Sequence, residues 1–216
     1  MINPTLTTGP FPPATIFVVD DDVSFLKSVS RLLRAVGYSV KAFESAQDFL
    51  KQLSPEMSGC VLADLQMPGL TGLELQEALE KTDNPLPVIF LTGQGDIPTT
   101  VHAMKKGAED FLTKRTPKED LLEAIERALE RDAQKRQQRE RLEGLRKRLA
   151  ELSKRELEVL QHVVRGEMNK EIAGLLGINE RTVKLHRTSL TRKLEVKSVA
   201  ELTRLAGEVG LFNPKS

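Results

Sequence analysis

The stretch TIFVVD, residues 15–20, decides the fold of the first part of this 216-residue chain. Residues 16–19 are all apolar, which is the pattern of a strand in a parallel sheet that helices cover on both faces. Comparable short apolar runs recur as SVKAF (39–43), CVLADL (60–65), LPVIFLT (86–92) and AEDFLT (108–113). Stretches with helical apolar spacing separate these runs. The sequence therefore predicts a doubly wound α/β domain with a five-stranded parallel sheet.

Composition and charge predict two domains with different tasks. The chain is 39% apolar, which at this length is enough for two modest cores. Residues 1–129 hold 12 Lys and Arg against 18 Asp and Glu, net −6, and residues 130–216 hold 20 against 13, net +7, which sum to +1. A basic C-terminal part of this size suits a polyanion such as nucleic acid.

Proline, glycine and apolar spacing predict the boundaries. We expect residues 1–14 to form a flexible tail and residues 15–129 the α/β domain, whose last helix opens at Pro117. Residues 130–151 should form a long helical linker and residues 152–216 an all-α bundle of four short helices. The charged part of the linker should be a solvated helix face, and its leucines could pair with a second copy: Leu142, Leu145, Leu149 and Leu152.

Two further features bear on location. No uncharged apolar run outside the tail approaches the ~18 residues that a membrane helix needs. The single cysteine, Cys60, cannot form an intrachain disulfide and lies in an apolar run, where a small buried side chain is expected. We therefore expect a cytoplasmic protein with no membrane partner.

Charged and hydroxyl side chains gather where the predicted strands end. Asp20, Asp21 and Asp22 follow the first strand, and the later strands end at Asp64, Thr92 and Lys114. Chemistry in an open α/β sheet is located beyond the carboxyl ends of its strands. Clustered carboxylates repel unless a cation lies among them, and oxygen ligands favour Mg²⁺. Asp64 can then act as a nucleophile toward a phosphoryl group, and Thr92 can hydrogen-bond the new phosphate.

Four segments resemble the signatures of two-component receiver domains over about Thr15 to Leu129: VVDDD (18–22), ADLQMPGLTG (63–72), FLTGQGD (90–96) and DFLTK (110–114). The resemblance implies a flavodoxin-like fold with Asp64 as the phosphorylated residue. It implies Mg²⁺ binding by Asp20, Asp21, Asp64 and the backbone carbonyl of Gln66. It further implies that Thr92 and Phe111 are switch residues and that Lys114 pairs with the phosphate.

The segment after Lys114 departs from the receiver pattern. Receivers place a proline directly after this lysine, in a cis peptide, whereas Arg115 stands here and the proline comes at 117. We expect either a cis bond before Arg115, at a cost of about 2.5 to 4 kcal/mol, or a different path of the loop.

The C-terminal part predicts a helix-turn-helix. Asn169 and Asn179 are placed as N-caps of two short helices joined by the turn LGIN (176–179). In the second helix, core positions recur at helical spacing: Val183, His186, Leu190 and Leu194. The opposite side is a candidate major-groove face, although a basic helix suits a solvated surface equally well: Lys184, Leu185, Thr188 and Arg192, flanked by Arg181 and Arg187. The terminal helix should pack through Val199, Leu202, Leu205, Ala206 and Val209.

The segments LSKRELEVL (152–160), NKEIAGLLGI (169–178) and TVKLHR (182–187) resemble the LuxR-type DNA-binding module, over about Leu152 to Gly210. With the receiver, the chain resembles the NarL/FixJ class, and TGQGDI (92–97) is nearer the FixJ branch. By that family's pattern, Lys184, Leu185 and Thr188 would meet base edges. Phosphates would be held by Asn169, Lys170, Arg181, Thr182, Arg187 and Arg192.

The sequence thus predicts a transcriptional response regulator and not an enzyme. A cognate sensor histidine kinase would phosphorylate Asp64, the phosphate would favour a homodimer, and the dimer would bind promoter DNA, with RNA polymerase as a further candidate partner. One alternative is a regulator that binds DNA without phosphate and uses the receiver as a scaffold. Another is a haloacid-dehalogenase-like phosphatase, suggested by Asp20-x-Asp22, which leaves Asp64 and the basic module unexplained.

Overall fold

The computed structural model describes residues 14–93, 97–208 and 210, with the backbone alone for residues 97–99. Nearly all of the expected tail, Gln94–Asp96 of the TGQGDI segment and Val209 lie outside this range. The chain divides into two compact units between Lys135 and Arg136. None of the helices within the described residues combines the length and apolar character needed to cross a membrane.

The first unit is built on five parallel strands: β1 (Thr15–Val19), β2 (Ser39–Phe43), β3 (Gly59–Asp64), β4 (Val88–Thr92) and β5 (Asp110–Thr113). Their order in the sheet is β2-β1-β3-β4-β5. The helices between them are α1 (Val23–Ala35), α2 (Ala46–Lys51), α3 (Gly72–Glu80) and α4 (Ile97–Lys105), and α5 (Lys118–Ala150) follows the last strand. This order is that of a flavodoxin-like fold, so the fold class expected from the sequence is confirmed.

The sheet is buried on both faces because alternate residues of its inner strands enter opposite cores. Phe17, Val61 and Phe90 enter one core together with Leu75 and other residues of α2 and α3. Their neighbours on the same strands enter the other core with α1 and α5: Ile16, Val18, Cys60, Leu62, Ile89 and Leu91. This packing explains why β1, β3 and β4 read as continuous apolar runs. Cys60 is fully buried, and burial raises the pKa of its thiol, as expected for a packing residue.

Helix α5 is continuous over 33 residues. Most of its charged middle is exposed, as expected, but Asp132 is only 1% exposed. The Gly59 N–H, at the start of β3, donates a hydrogen bond of 2.9 Å to Asp132 Oδ2. Residue 59 must be glycine, because its φ is +134° and a Cβ would lie 1.8 Å from the Thr15 carbonyl oxygen. Asp132 therefore ties α5 to the strand that ends at Asp64.

The second unit contains the C-terminal part of α5 and the helices α6 (Lys154–Val164), α7 (Asn169–Leu176), α8 (Glu180–Lys193) and α9 (Val199–Glu208). Their shared core includes Leu160, Ile172, Val183, Leu190 and Leu202. Leu149 and Leu152 pack against this core, and Leu145 is buried beside Leu202 and Ala206. These three leucines therefore pack within their own unit, and Leu142 is half-buried. Val199 was expected in the apolar stripe but is 41% exposed, because it is the first residue of α9.

Candidate functional site

An acidic cluster forms where β1 and β3 end. The two strands pair in parallel with Val19 opposite Ala63, so the next residues, Asp20 and Asp64, lie side by side. One carboxylate oxygen each from Asp20, Asp21 and Asp64 can be chosen so that all lie within 4.8 Å of one another. Asp20 and Asp64 are buried and Asp21 is exposed. Three carboxylates in this space, with only oxygen donors, fit a hard divalent cation such as Mg²⁺.

Lys114 joins the two buried carboxylates. Its Nζ lies 2.7 Å from Asp20 Oδ2 and 2.8 Å from Asp64 Oδ2, and the lysine side chain is 17% exposed. The same ammonium lies 4.7 Å from the centre of the Phe25 ring of α1, within the range of a cation–π contact. Phe25 was not among the expected site residues, and no motif of the sequence pointed to it.

The loop after β5 reaches this position without a cis bond. No cis peptide occurs within the described residues, which include Lys114 and Arg115, so the cis alternative is wrong and the loop takes an all-trans path. The Lys114 N–H donates a hydrogen bond of 2.8 Å to the Thr92 carbonyl oxygen, which continues the pairing of β4 and β5 by one residue. The lysine is therefore placed by strand pairing, and Arg115 is exposed to solvent.

Burial sets the electrostatics of this cluster. Burial raises the pKa of Asp20 above its ordinary value, although hydrogen bonds from Lys114 and the Asp22 N–H oppose the shift. Burial lowers the pKa of Lys114, but hydrogen bonds to Asp20 and Asp64 outweigh it, and the net pKa is raised. The lysine therefore stays charged, and its single positive charge does not fully offset the cost of burying the Asp20 carboxylate.

The expected switch residues lie on β4 and β5. Thr92, the last residue of β4, is 2% exposed and lies opposite Thr113. Phe111 lies opposite Phe90, is half-buried, and its ring centre is 6.1 Å from that of Phe90. Gln66 lies two residues after Asp64, and its N–H donates a hydrogen bond of 3.3 Å to Asp64 Oδ1. All five polar residues of the expected site thus lie at one edge of the sheet: Asp20, Asp21, Asp64, Thr92 and Lys114.

Gly72 allows α3 to begin against the end of β3. A Cβ at this position would lie 2.3 Å from the Asp64 carbonyl oxygen and 3.0 Å from Phe90 Cε1. The helix start is stabilised by a capping box in which Thr71 and Glu74 exchange hydrogen bonds. Those residues were not singled out, although the pattern Thr-x-x-Glu is a recognised signal for a helix start.

Helix α8 of the second unit presents the expected polar face. Lys184, Leu185, Thr188, Arg181 and Arg192 are exposed, whereas Val183, Leu190 and Leu194 are buried and His186 is half-buried. Lys184 Nζ lies 3.2 Å from Glu180 Oε1 one turn earlier. Leu185 is 64% exposed, so most of a large apolar side chain on this face is open to solvent. Arg187 and Thr182, two of the expected phosphate contacts, are half-buried.

The expected N-caps have different outcomes. Asn179 caps α8, because its side chain accepts a hydrogen bond from the Thr182 N–H. The prediction that Asn169 is an N-cap is wrong, because α7 starts at Asn169 itself and Met168 is the capping position. Asn169 Oδ1 instead accepts a hydrogen bond of 2.8 Å from Arg187 Nη1, which ties the start of α7 to α8. Lys170 is exposed on the first turn of α7.

A buried glutamate holds α8 on α6. Glu156 accepts hydrogen bonds from Ser189 Oγ at 2.6 Å and Lys193 Nζ at 2.8 Å, both on α8. Hydrogen bonds from Lys193, Ser189 and Ser153 lower the pKa of Glu156 to about 2. The orientation of α8 relative to α6 is therefore fixed by a charged pair as well as by the core.

Known proteins resemble this chain over most of its length. The family described as "Response regulator receiver domain" matches residues 16–126, and "Bacterial regulatory proteins, luxR family" matches residues 150–206. Nodulation protein W of Bradyrhizobium diazoefficiens is 41% identical over 92% of this chain and 87% of its own length. Transcriptional regulatory protein FixJ of the same organism is 37% identical over 92% of this chain and 97% of its own length. The solved structure of the response regulator StyR is 46% identical, with a TM-score of 0.81, over 91% of this chain and all of its own.

Proposed function

The chain belongs to the response regulators that join a receiver domain to a LuxR-type DNA-binding domain, and we propose that Asp64 is its phosphoacceptor. Relatives of this family are transcriptional regulators, and the two domains imply a histidine kinase as phosphoryl donor and DNA as target. The observation that carries the assignment is the bridge of Lys114 between Asp64 and Asp20 at the sheet edge. We assign residues 15–129 to the receiver, 130–151 to a helical linker and 152–216 to the DNA-binding domain.

The chemistry follows from the charges around Asp64. One Asp64 oxygen attacks the phosphorus of a phosphohistidine, the P–N bond breaks, its electron pair returns to the imidazole, and the product is an acyl phosphate. Lys114 pairs with the transferred oxygens, and the Thr92 hydroxyl donates a hydrogen bond to one of them. Asp20, Asp21, Asp64 and the Gln66 carbonyl would hold Mg²⁺, which when bound supplies positive charge that offsets the phosphoryl oxygens. In this function the phosphoryl group on Asp64 is a signal and not an intermediate in the enzymatic turnover of small substrates.

The signal passes from Thr92 to Phe111. When Thr92 turns toward the phosphate, it vacates space that lets Phe111 repack, and this stabilises one arrangement of the surface around β4 and β5. That surface then favours a homodimer. Two linked DNA-binding domains gain effective concentration over one, so the dimer binds promoter DNA more tightly without any new base contact. RNA polymerase is a further candidate partner. Because the proposed target is promoter DNA, we also propose a cytoplasmic location.

Asp64→Asn tests the proposed function. The chain is incubated with acetyl phosphate and Mg²⁺, and intact-mass spectrometry follows the addition of one phosphoryl group. We expect the added mass in the wild type and none in the variant, because an amide is a poor nucleophile. A phosphoryl group on the Asn variant would remove Asp64 as acceptor. Equal DNA affinity of both proteins after this treatment would favour the scaffold alternative, in which DNA binding ignores the phosphate.

Lys184→Ala and Arg187→Ala test the division of labour on α8. We expect Lys184→Ala to cost about 1 to 3 kcal/mol of discrimination between target and random DNA, because a base contact is lost. Arg187→Ala should weaken binding to all sequences alike and flatten the dependence of affinity on salt, since a phosphate contact is lost. Fluorescence anisotropy at several salt concentrations measures both effects. Identical behaviour of the two variants would contradict the assignment.

A further inference from the structure

One acidic side chain shares the exposed face of α8 with the residues proposed to read DNA. Glu180, Lys184 and Thr188 are spaced four residues apart, so they form one ridge along the helix, and all three are exposed. Glu180 and Lys184 are 48% and 64% exposed at their side chains, and their charged ends lie 3.2 Å apart. The N-terminal residues of a recognition helix contact base edges. Glu180 is therefore placed where a side chain can read a base.

A carboxylate at this place is unfavourable for binding DNA in general. The phosphate backbone repels it, and it weakens the attraction of Lys184 to any phosphate. In the major groove, however, a carboxylate has a specific partner, because it can accept a hydrogen bond from the amino group of cytosine. A carboxylate here would thus weaken binding to most DNA sequences and strengthen binding to those with a suitably placed cytosine. A repulsive group can produce specificity in this way.

We propose that Glu180 is a specificity-determining residue of the DNA-binding domain and accepts a hydrogen bond from the amino group of a cytosine within one base step of the base that Lys184 contacts. The inference rests on the proposed DNA contact of α8. The 3.2 Å between the Glu180 and Lys184 charges matches the roughly 3.4 Å between successive base pairs, so the two ends can meet the same or adjacent pairs. Lysine donates to guanine and glutamate accepts from cytosine, which makes a G·C-containing step the complement of this pair.

A second effect of Glu180 must be separated from base reading. Glu180 is the first residue of α8, where a negative charge also stabilises the helix N-terminus. Aspartate at this position keeps that charge but is one methylene shorter, so it stabilises the helix and does not reach the base. Glu180→Asp therefore separates reach from charge, and Glu180→Ala removes both.

The experiment uses the full chain after treatment with acetyl phosphate and Mg²⁺, incubated with a library of double-stranded DNA that contains a randomised central segment. Bound DNA is sequenced for the wild type, Glu180→Ala, Glu180→Asp and the control Glu143→Ala, which removes an exposed glutamate of α5. Circular dichroism establishes that each variant is folded. Affinity for the selected site and for random DNA is then measured for each protein.

We expect a cytosine preference in the wild type and in Glu143→Ala, and its loss in both Glu180 variants. Discrimination at that position should fall roughly 5- to 100-fold, and Glu180→Ala should bind random DNA more tightly than the wild type. An unchanged preference in both Glu180 variants would overturn the inference. A cytosine preference that is kept in Glu180→Asp and lost in Glu180→Ala would also overturn it, because a negative charge that does not reach the base would then be sufficient. A wild type without any sequence preference would instead contradict the proposed function itself.

Discussion

Lys114→Gln should lower the free energy of unfolding of the receiver domain by about 3 to 5 kcal/mol when Mg²⁺ is removed with EDTA. The reason is the environment of its ammonium, which lies between the buried carboxylates of Asp20 and Asp64. Glutamine has a similar length but no charge, so two carboxylates stay buried with no cation between them. Thermal or urea unfolding followed by circular dichroism measures the loss.

Added Mg²⁺ should restore much of this loss, and by more than it stabilises the wild type. In the variant the divalent cation does not compete with an ammonium for the same oxygens, and a ligand that binds only the folded state stabilises it in proportion to its occupancy. The matched control is Lys106→Gln, because the side chains of Lys106 and its partner Glu77 are 40% and 42% exposed, so the change in stability should be less than about 1 kcal/mol. Equal losses in the two variants, or no added response to Mg²⁺, would contradict this account of the site.

The α/β fold and the position of its polar residues could be predicted because both depend on local pattern. Strands buried on both faces must be apolar throughout, as β3 is, and strand order in a doubly wound sheet brings the ends of β1 and β3 together. β2 is an edge strand and is mostly exposed, yet its apolar positions and its place between two helices still identified it.

Other features could not be predicted because they depend on partners distant in sequence. Asp132 reads as one more charge of a solvated helix, and only the structure places it against Gly59, 73 residues earlier. Leu145 and Leu149 have the spacing of a helix seam, which indicates an apolar partner but not which one. The path after Lys114 was left open, because a missing proline excludes nothing until the pairing of β4 and β5 is known. The predicted N-cap of α7, Asn169, differs from the observed one by a single position, which is within the ordinary uncertainty of a helix end.

Gly72→Ala should destabilise the receiver domain by about 2 to 4 kcal/mol and slow phosphorylation of Asp64, although it adds one methyl group outside the charged cluster. The new Cβ would lie 2.3 Å from the Asp64 carbonyl oxygen, so α3 or the end of β3 must move, and either movement displaces the acceptor carboxylate. Gly144→Ala is the control, because its added Cβ would meet no atom within 4 Å beyond its chain neighbours and the adjacent backbone of α5, and it should stabilise the chain by up to about 1 kcal/mol. Unfolding curves and phosphorylation time courses for both variants decide the matter. If Gly72→Ala loses stability but phosphorylates at the wild-type rate, the strand end holds its position and α3 alone yields.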